Sequence, residues 1–364
     1  NKETTVNDHD TIITNREEGA SSHTVTIDAK DEDDKVEVTL KDVNIDASSR
    51  SEAAVSVTGK GDTTIELDGD NELKSGAGHA GLEHNKTDTS GELTIQDKDK
   101  NGSLEAAGGF KGAGIGSAGS NDAQVKITGG NITATTSDDW GAGIGSGSYG
   151  TGTVEITGGE INATGGYLGA GIGGGTSGNG KVTITGDAVI EESIGGSSGA
   201  GAGNATGGAG IGGGANGHGT IDISGNAQVK NALGKDGGAG IGSGYEGDGN
   251  VNISGNATIE NAEGGKFAAG IGGGYRGDGN VTISGNAKID NVSGGKQAAG
   301  IGGGSFGDGT IIIKDNAMIG TAAGGNYGAG IGGGALGVGD VTIEGNVTIK
   351  DARGGSNAAG IGGG

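Results

Sequence analysis

Apolar and polar residues alternate in short runs along the chain, and the same runs return about every thirty residues. In one period they occupy residues 281–283, 287–289 and 299–301. Alternation with a period of two is typical of β-strands, whose successive side chains point to opposite faces. Corners rich in Gly, Asn and Ser separate the runs. The pattern therefore predicts three short strands and three corners in every period.

The same alternation predicts which side chains face the core. Thr282, Lys288 and Gly300 are expected to point outward. Helices are not expected, because no stretch sustains an i, i+3, i+4 pattern and Gly interrupts every segment. Six residues of this period are expected to point inward, namely Val281, Ile283, Ala287, Ile289, Ala299 and Ile301.

One tetrapeptide, Ala-Gly-Ile-Gly, marks the period. Its Ile recurs at positions 115, 144, 172, 211, 241, 271, 301, 331 and 361. The last six are thirty residues apart, and the earlier gaps of 29, 28 and 39 residues indicate an insertion around residues 195–206. A fixed period of this length is the signature of a solenoid. The chain is therefore predicted to be all-β, a right-handed parallel β-helix with three short strands per turn.

The regularity of the repeat divides the chain into three parts. Residues 1–22 are predicted to form an N-terminal tail or cap, residues 23–110 irregular early turns, and residues 111–364 regular Gly-rich turns. A cap is expected because an open solenoid end exposes sheet edges. The chain stops in the middle of a repeat, so we expect it to be a fragment of a longer protein.

The composition fits a repeat architecture better than one globular core. The chain has 92 Gly, no Pro and no Cys, and only 30% of its residues are hydrophobic. The absence of Pro and of a three-residue period argues against collagen. A net charge of -23 disfavours nucleic acid and anionic membranes as partners. No apolar stretch approaches the roughly 18 residues of a membrane span, so membrane insertion is not expected.

Large residues gather on both sides of the Ala-Gly-Ile-Gly strip. All nine aromatic residues, five Tyr, three Phe and one Trp and including Phe110 and Tyr167, lie four or five positions from its Ile. Sugar rings stack on such side chains, so a Gly-rich platform between two rows of rings predicts a carbohydrate site. The alternative is that the rings cover the strip and fill the space that Gly leaves. On the first interpretation the ligand-binding residues are Trp140, Tyr149, Tyr245, Phe267, Tyr275, Phe306 and Tyr327.

Two acidic segments are candidate calcium sites. One is a column of Gly-Asp-Gly corners, where carboxylates stacked about 4.8 Å apart repel unless they splay or bind a cation. The other matches the opening half of an EF-hand-type loop, although Gly108 stands where a bidentate Glu is needed. The alternatives are solvated acids in the first segment and a polar turn between strands in the second. The candidate metal ligands are Asp248, Asp278 and Asp308 in the column and Asp97, Asp99 and Asn101 in the loop.

A column of asparagines also follows the thirty-residue period. Their amides are expected to hydrogen-bond up and down the stack and to tolerate left-handed backbone geometry. This predicts a structural role for Asn226, Asn256, Asn286, Asn316 and Asn346.

Catalytic signatures are weak in this chain. Cys is absent, the five His are scattered, and no helix follows the Gly-rich strings to hold a phosphate. Arg276, two residues before Asp278, is the best candidate base for a calcium-dependent polysaccharide lyase. We therefore expect a protein that is not an enzyme.

The N-terminal segment contains four distinctive motifs, Val-Thr-Leu-Lys-Asp-Val-Asn-Ile at 38–45, Thr-Ile-Glu-Leu-Asp-Gly-Asp-Asn-Glu-Leu at 64–73, Ala-Gly-Leu at 80–82 and Gly-Glu-Leu-Thr-Ile at 91–95. Through these motifs, roughly residues 24–120 resemble a bacterial carbohydrate-binding domain family of secreted and cell-surface proteins. Gly-Ala-Gly-Ile-Gly repeats commonly follow in such proteins. The resemblance implies a β-helix similar to polysaccharide lyases that binds plant-type polysaccharide, with calcium as a potential cofactor.

These observations lead to one expected function and two alternatives. The expected function is a monomeric adhesin or carbohydrate-binding module, extracellular and either secreted or on a bacterial cell surface. It would bind polysaccharide, host glycan or a host protein on one face of the β-helix. The first alternative is a structural stalk that spaces another domain from the cell wall. The second is a calcium-dependent polysaccharide lyase.

Overall fold

The computed structural model describes residues 3–15, 19–136, 140–198 and 206–364, and every regular element in these ranges is a β-strand. None of the described residues forms a helix long and apolar enough to cross a membrane. The early strands are β1 Glu3–Val6, β2 Thr11–Ile13, β3 Thr24–Ala29, β4 Lys35–Lys41, β5 Asn44–Asp46, β6 Val55–Gly59, β7 Asp62–Lys74, β8 Leu82–His84, β9 Leu93–Gln96 and β10 Gly102–Gly108.

The later strands come in sets of three, one set per turn, and each set begins at the Ile of the repeat. They are β11 Ile115–Gly116, β12 Ala123–Ile127, β13 Asn131–Thr136, β14 Ile144–Gly145, β15 Gly152–Ile156, β16 Glu160–Thr164, β17 Ile172–Gly173, β18 Gly180–Ile184, β19 Val189–Ile194, β20 Ile211–Gly212, β21 Gly219–Ile223, β22 Gln228–Leu233, β23 Ile241–Gly242, β24 Gly249–Ile253, β25 Thr258–Glu263, β26 Ile271–Gly272, β27 Gly279–Ile283, β28 Lys288–Ser293, β29 Ile301–Gly302, β30 Gly309–Ile313, β31 Met318–Ala323, β32 Ile331–Gly332, β33 Gly339–Ile343, β34 Thr348–Arg353 and β35 Ile361–Gly362.

Equivalent strands of successive turns stack in parallel and build three faces. Face A is a 13-stranded sheet that contains the Ile of every repeat. Faces B and C together count 22 strands, because the long strand β7 contributes its first half to face B and its second half to face C. The chain winds right-handed, the hand that parallel crossovers adopt. The predicted right-handed parallel β-helix is therefore confirmed.

The core is a set of apolar columns inside the three faces. Ile271 pairs with Ile301, and Ile301 pairs with Ile331, so that the Ile side chains of face A stack on one another. All six residues predicted to point inward are buried, with at most 2% of their surface exposed. The prediction that Gly300 points outward is wrong, because its outer side lies against the backbone of Ala323 and Gly330 and the residue is buried.

The solenoid extends into the segment predicted as a tail or cap. Strand β1 pairs in parallel with β3, and β2 pairs in parallel with β4. Further along, Ile172 pairs with Ile211, so the 39-residue gap leaves the stacking of face A intact. The extra residues begin beside a bridge between Ser197 and Gly207, and residues 199–205 of the predicted insertion lie outside the described ranges.

The predicted asparagine column forms a hydrogen-bonded ladder at the corner between faces B and C. The Nδ2 of each Asn donates to the Oδ1 of the Asn one turn before it, at 3.1 to 3.4 Å from Asn226 to Asn346. The left-handed conformation at this corner belongs to the preceding residue, for example Gly285 with φ 68°. The structural role of the column is confirmed, and the left-handed geometry that the Asn residues were expected to tolerate is taken up by the residue before them.

Candidate functional site

The Gly-rich strip of face A is a buried layer with no exposed surface to serve as a platform. In the turn of Ile271, residues 268–274 are all buried. The N–H of Ala269 donates to the carbonyl of Gly273 at 3.0 Å, so the strip bends sharply across the Ile. A Cβ atom at Gly273 would overlap the carbonyl of Gly277, and this close backbone approach explains the Gly there.

Two loops in each turn meet above the strip. We call residues 264–268 and their equivalents the leading loop, which connects face C to face A. Residues 274–278 and their equivalents are the trailing loop, which connects face A to face B. The N–H of Tyr275 donates to the carbonyl of Gly237 at 2.9 Å, and the N–H of Ser305 donates to the carbonyl of Phe267 at 2.8 Å. Each trailing loop is therefore bonded to the leading loop of the preceding turn.

This closure changes the geometry that the sequence predicted. The prediction of an open strip between two separate rows of rings is wrong. The loop backbones lie over the strip and bring the two rows together. The alternative that the strip is covered is correct in part, since backbone supplies the cover and the rings stand on top of it. Phe267 of a leading loop and Tyr275 of a trailing loop lie 5.5 Å apart between ring centroids.

The first ring cluster spans three consecutive turns. It consists of Phe110, Trp140, Tyr149 and Tyr167, and Trp140 at its centre lies 6.1 to 6.3 Å from each of the other ring centroids. Tyr149 is 56% exposed and Phe110 44% exposed. The Nζ of Lys111 lies 5.2 Å from the ring centroid of Phe110 and 5.4 Å from that of Trp140. The cluster is therefore an accessible aromatic patch with one cation beside it.

The second ring cluster also spans three turns and is built around Tyr275. It consists of Tyr245, Phe267, Tyr275 and Phe306, whose centroids lie 5.4 to 6.0 Å from that of Tyr275. Phe306 is 49% exposed and the other three rings are half-buried. Tyr327, also predicted as a binding residue, is 46% exposed one turn beyond Phe306, and the ring contacts of the described residues place it in neither cluster.

Cations and an ion pair surround the second cluster. The Nζ of Lys266 lies 5.1 Å from the ring centroid of Phe267, and the guanidinium carbon of Arg276 lies 5.1 Å from that of Tyr275. Arg276 also donates to the Oε1 of Glu246 at 3.2 Å. Burial is the largest cause of a raised pKa at Tyr245, so its phenol stays protonated and can donate a hydrogen bond.

Arg276 is engaged with the ring of Tyr275 and the carboxylate of Glu246. From its position in the sequence, Arg276 was predicted only as a candidate lyase base. Lys111 and Lys266 were not among the predicted site residues. The signal that could have revealed them is their position directly beside Phe110 and Phe267 in the leading loops.

The acidic column is held together by side-chain-to-backbone hydrogen bonds. The Oδ1 of Asp248 accepts from the N–H of Asp278 at 2.9 Å, and the Oδ1 of Asp278 accepts from the N–H of Asp308 at 2.8 Å. The pattern continues to the N–H of Val338, bonded to Asp308 at 2.7 Å. Hydrogen bonds of this kind stabilise the charged carboxylates in a stack, so the column has a structural explanation.

The segment that resembles half an EF-hand is a turn organised by one carboxylate. Asp97 accepts from the N–H of Asn101 at 3.1 Å through Oδ1 and from the N–H of Gly102 at 3.0 Å through Oδ2. The Nδ2 of Asn101 points to the Oδ1 of Asp68 at 3.4 Å, and Asp99 is exposed. Within the described ranges, no three His, Cys, Asp or Glu side chains are grouped closely enough to hold a metal ion.

Comparison with known proteins bears on the fold alone. Three segments, residues 125–148, 154–176 and 251–275, match the family model described as a beta helix repeat. These segments are similar to beta helix repeats. No curated protein and no solved structure matches the chain. The matched segment at 251–275 includes Phe267 and Tyr275, and the one at 125–148 includes Trp140, so each cluster has at least one ring within a matched segment.

Proposed function

We propose that this β-helix is a non-catalytic carbohydrate-binding module, secreted or displayed on a bacterial surface, that binds glycan on its two ring clusters. The observation that carries the proposal is the concentration of aromatic side chains on one face. All of them stand on the leading and trailing loops, and five are at least 36% exposed, namely Phe110, Tyr149, Tyr167, Phe306 and Tyr327. Exposed rings gathered in this way mark interaction sites.

The chemistry of the clusters suits sugars. An aromatic face packs against the apolar face of a sugar ring, and donors beside it bond the hydroxyls. Lys111, Lys266 and Arg276 supply such donors at 5.1 to 5.4 Å from ring centroids. These side chains are long and lie on the surface, so they can turn from a ring face to a ligand. The N-terminal motifs, which resemble a bacterial carbohydrate-binding family, favour the same class of ligand.

A structural stalk is the second candidate, and the ladders favour it. The asparagine and aspartate columns bond turn to turn at two different corners of the solenoid. Such columns stiffen a repeat without requiring a ligand. A stalk explains the ladders, but it gives no reason for half-exposed rings on a protein surface.

The proposal is tested on a glycan array that includes pectic polysaccharides, with calcium and with EDTA. We expect a specific hit that is lost in Tyr275→Ala and in Phe267→Ala. Tyr327→Ala is the matched control, because it removes an exposed ring from the same face outside both clusters. Retained binding in the control places the ligand on the second cluster.

A blank array under both conditions would contradict the carbohydrate proposal and leave the stalk. Equal loss of binding in all three variants would place the ligand on face A without assigning it to a cluster. Binding that disappears in EDTA would support a bound calcium, whereas unchanged binding would remove calcium from the recognition step.

A further inference from the structure

The trailing loops place one residue of every turn from that of Ile115 to that of Ile331 in the left-handed backbone conformation. We call this set the left-handed ridge. It consists of Ser120, Tyr149, Ser177, Asn216, Glu246, Arg276, Phe306 and Leu336, with φ between 55° and 68°. The residues stack in register, because the N–H of each from Ser120 to Phe306 donates to the carbonyl just before its equivalent in the next turn, as Arg276 does to Ser305 at 2.9 Å.

No member of the ridge is Gly, although the conformation favours Gly and the chain has 92 of them. The corner between faces B and C provides an internal comparison. In the later turns its left-handed position is Gly at 225, 255, 285 and 345 and Asp at 315, whose carboxylate accepts from the N–H of Gly285 at 3.0 Å. In the early turns Asp42 and Lys100 take this conformation at the same corner. In the later turns this corner therefore uses Gly except at Asp315, where the side chain forms a hydrogen bond of its own. The ridge therefore keeps side chains at positions where they strain the backbone.

The ridge side chains project from the loops and differ from turn to turn. Tyr149 is 56% exposed, Phe306 49% and Leu336 85%. A repeated scaffold with one variable, exposed position per repeat is the arrangement that repeat proteins use for recognition. Because the backbone N–H groups of the ridge bond the next turn, recognition here depends on side chains.

The ridge connects the two ring clusters in a straight line along the solenoid. Tyr149 belongs to the first cluster, and Phe306 belongs to the second. Between them lie groups that hydrogen-bond, including the Ser177 hydroxyl, the Asn216 amide and the pair of Glu246 with Arg276. Five steps of about 4.8 Å separate Tyr149 from Phe306, a span of about 24 Å.

We propose that the left-handed ridge is an extended subsite for one glycan strand that runs parallel to the solenoid axis and bridges both ring clusters. The proposal rests on the carbohydrate function proposed above and adds the orientation and minimum length of the ligand. Rings at the two ends hold sugar faces, and the polar residues between them bond hydroxyls.

The test is a length series of cello-oligosaccharides and oligogalacturonides, measured by calorimetry on the full chain. Affinity is expected to rise until the oligosaccharide spans both clusters and to stay constant beyond that length. Tyr149→Gly and Phe306→Gly each remove one end, and each is expected to weaken binding of the longest members by at least about tenfold. Short members are expected to lose only the affinity of the altered cluster.

Gly substitutions in the left-handed ridge distinguish a loss of ligand binding from a loss of stability. Gly relieves the left-handed strain, so Tyr149→Gly and Phe306→Gly are expected to melt no lower than the parent. Asp315→Gly is the matched control, because it makes the same backbone change at the other corner and should leave affinity unchanged.

Two results would overturn the proposal, and they are distinguishable. Affinity that is independent of length beyond a single cluster would make the clusters separate sites and leave the carbohydrate function intact. No binding of any oligosaccharide or array glycan by the parent would contradict the carbohydrate function itself, and the bridging proposal with it.

Discussion

The turn of Leu82 and the turn of Ile115 close the same bend with different chemistry. Leu82 pairs with Ile115 and Glu83 pairs with Gly116, so the two strips stack directly. In the later turn Gly116 has φ 135°, and the N–H of Ala113 donates to the carbonyl of Ser117 at 3.1 Å. In the earlier turn the N–H of Ala80 donates to a carboxylate oxygen of Glu83 at 3.1 Å.

The difference shows how a solenoid turn can do without its Gly. The Glu83 carboxylate replaces the carbonyl that closes the bend, and it also contacts Nδ1 of His79 at 2.8 Å and Nδ2 of Asn85 at 3.2 Å. The carboxylate is almost fully buried, with 6% of its side chain exposed. A regular turn depends on backbone geometry, whereas this early turn depends on a charged side chain and its partners.

The largest effect is expected from a charge in the core of a regular turn. Ile301→Asp puts a carboxylate into the apolar column of face A and should lower the free energy of unfolding by about 4 kcal/mol or more. Ile301→Val, the control, should cost about 1 kcal/mol. Urea unfolding measures both, and an Asp variant as stable as the parent would contradict the inward assignment.

Substitutions at the paired positions Gly116 and Glu83 test whether the two bends are closed by different groups. A Cβ at Gly116 would overlap the carbonyl of Gly145 at a φ that disfavours side chains, so Gly116→Ala should cost about 3 kcal/mol. Glu83→Ala leaves three partners without their acceptor, the N–H of Ala80, Nδ1 of His79 and Nδ2 of Asn85, and should cost about 2 kcal/mol. Hydrogen exchange of Ala113 and Ala80 localises each loss to its own turn. Exchange that rises equally in both turns would show that the bends are not closed independently.

The early turn should also respond to pH through two histidines. The hydrogen bond to Glu83 raises the pKa of His79, so its stabilisation is complete below the ordinary value of 6.5 and is lost as pH rises through the raised pKa. Burial lowers the pKa of His84, whose contribution is complete above 6.5 and is lost as pH falls through the lowered pKa.

Single variants should reveal these opposed effects. In His79→Gln only the effect of His84 remains, so stability should fall on acidification. In His84→Phe only the effect of His79 remains, so stability should fall as the pH rises. Exchange of the Ala80 amide, followed across about pH 5 to 8, measures both. Amide exchange in a regular turn such as that of Ile301 provides the reference. The same pH dependence of exchange in that turn would mean that the change in stability belongs to the whole solenoid.

The smallest effect is expected in the asparagine ladder. Asn286→Ala removes amide hydrogen bonds of 3.1 and 3.2 Å at an exposed corner and should cost about 0.5 to 1 kcal/mol. Asn286→Asp keeps an acceptor and loses the donor, so intermediate stability is expected from thermal melting. A loss as large as that of Gly116→Ala would mean that the ladder, and not the backbone stacking, holds the corner.

The strands and the apolar columns could be predicted because they follow from alternation and period. Ile271, Ile301 and Ile331 recur at one spacing, and stacking at that spacing requires no further information. The burial of Gly300 could not be predicted in this way. It depends on the backbone of Ala323 and Gly330 in the next turn, which is a contact between different turns.

In the candidate site, too, some features follow from the sequence pattern and others depend on contacts between turns. The rings flanking each Ile are visible in the sequence, but their merging into two clusters follows from the loop closure. The left-handed ridge gives no signal in the sequence, because Tyr149 and Arg276 are not residue types that indicate positive φ. Their backbone conformation is imposed by the stacked loops around them.

The most direct test of glycan binding on the ring clusters uses the single tryptophan of the chain. Trp140 lies at the centre of the first cluster, so its fluorescence reports a ligand there. Titration with a glycan that binds on the array should give a saturable change in emission, weakened in Tyr149→Ala. Array binding with no change in the emission of Trp140, in the parent and in Phe267→Ala alike, would place the ligand away from the first cluster and contradict this account.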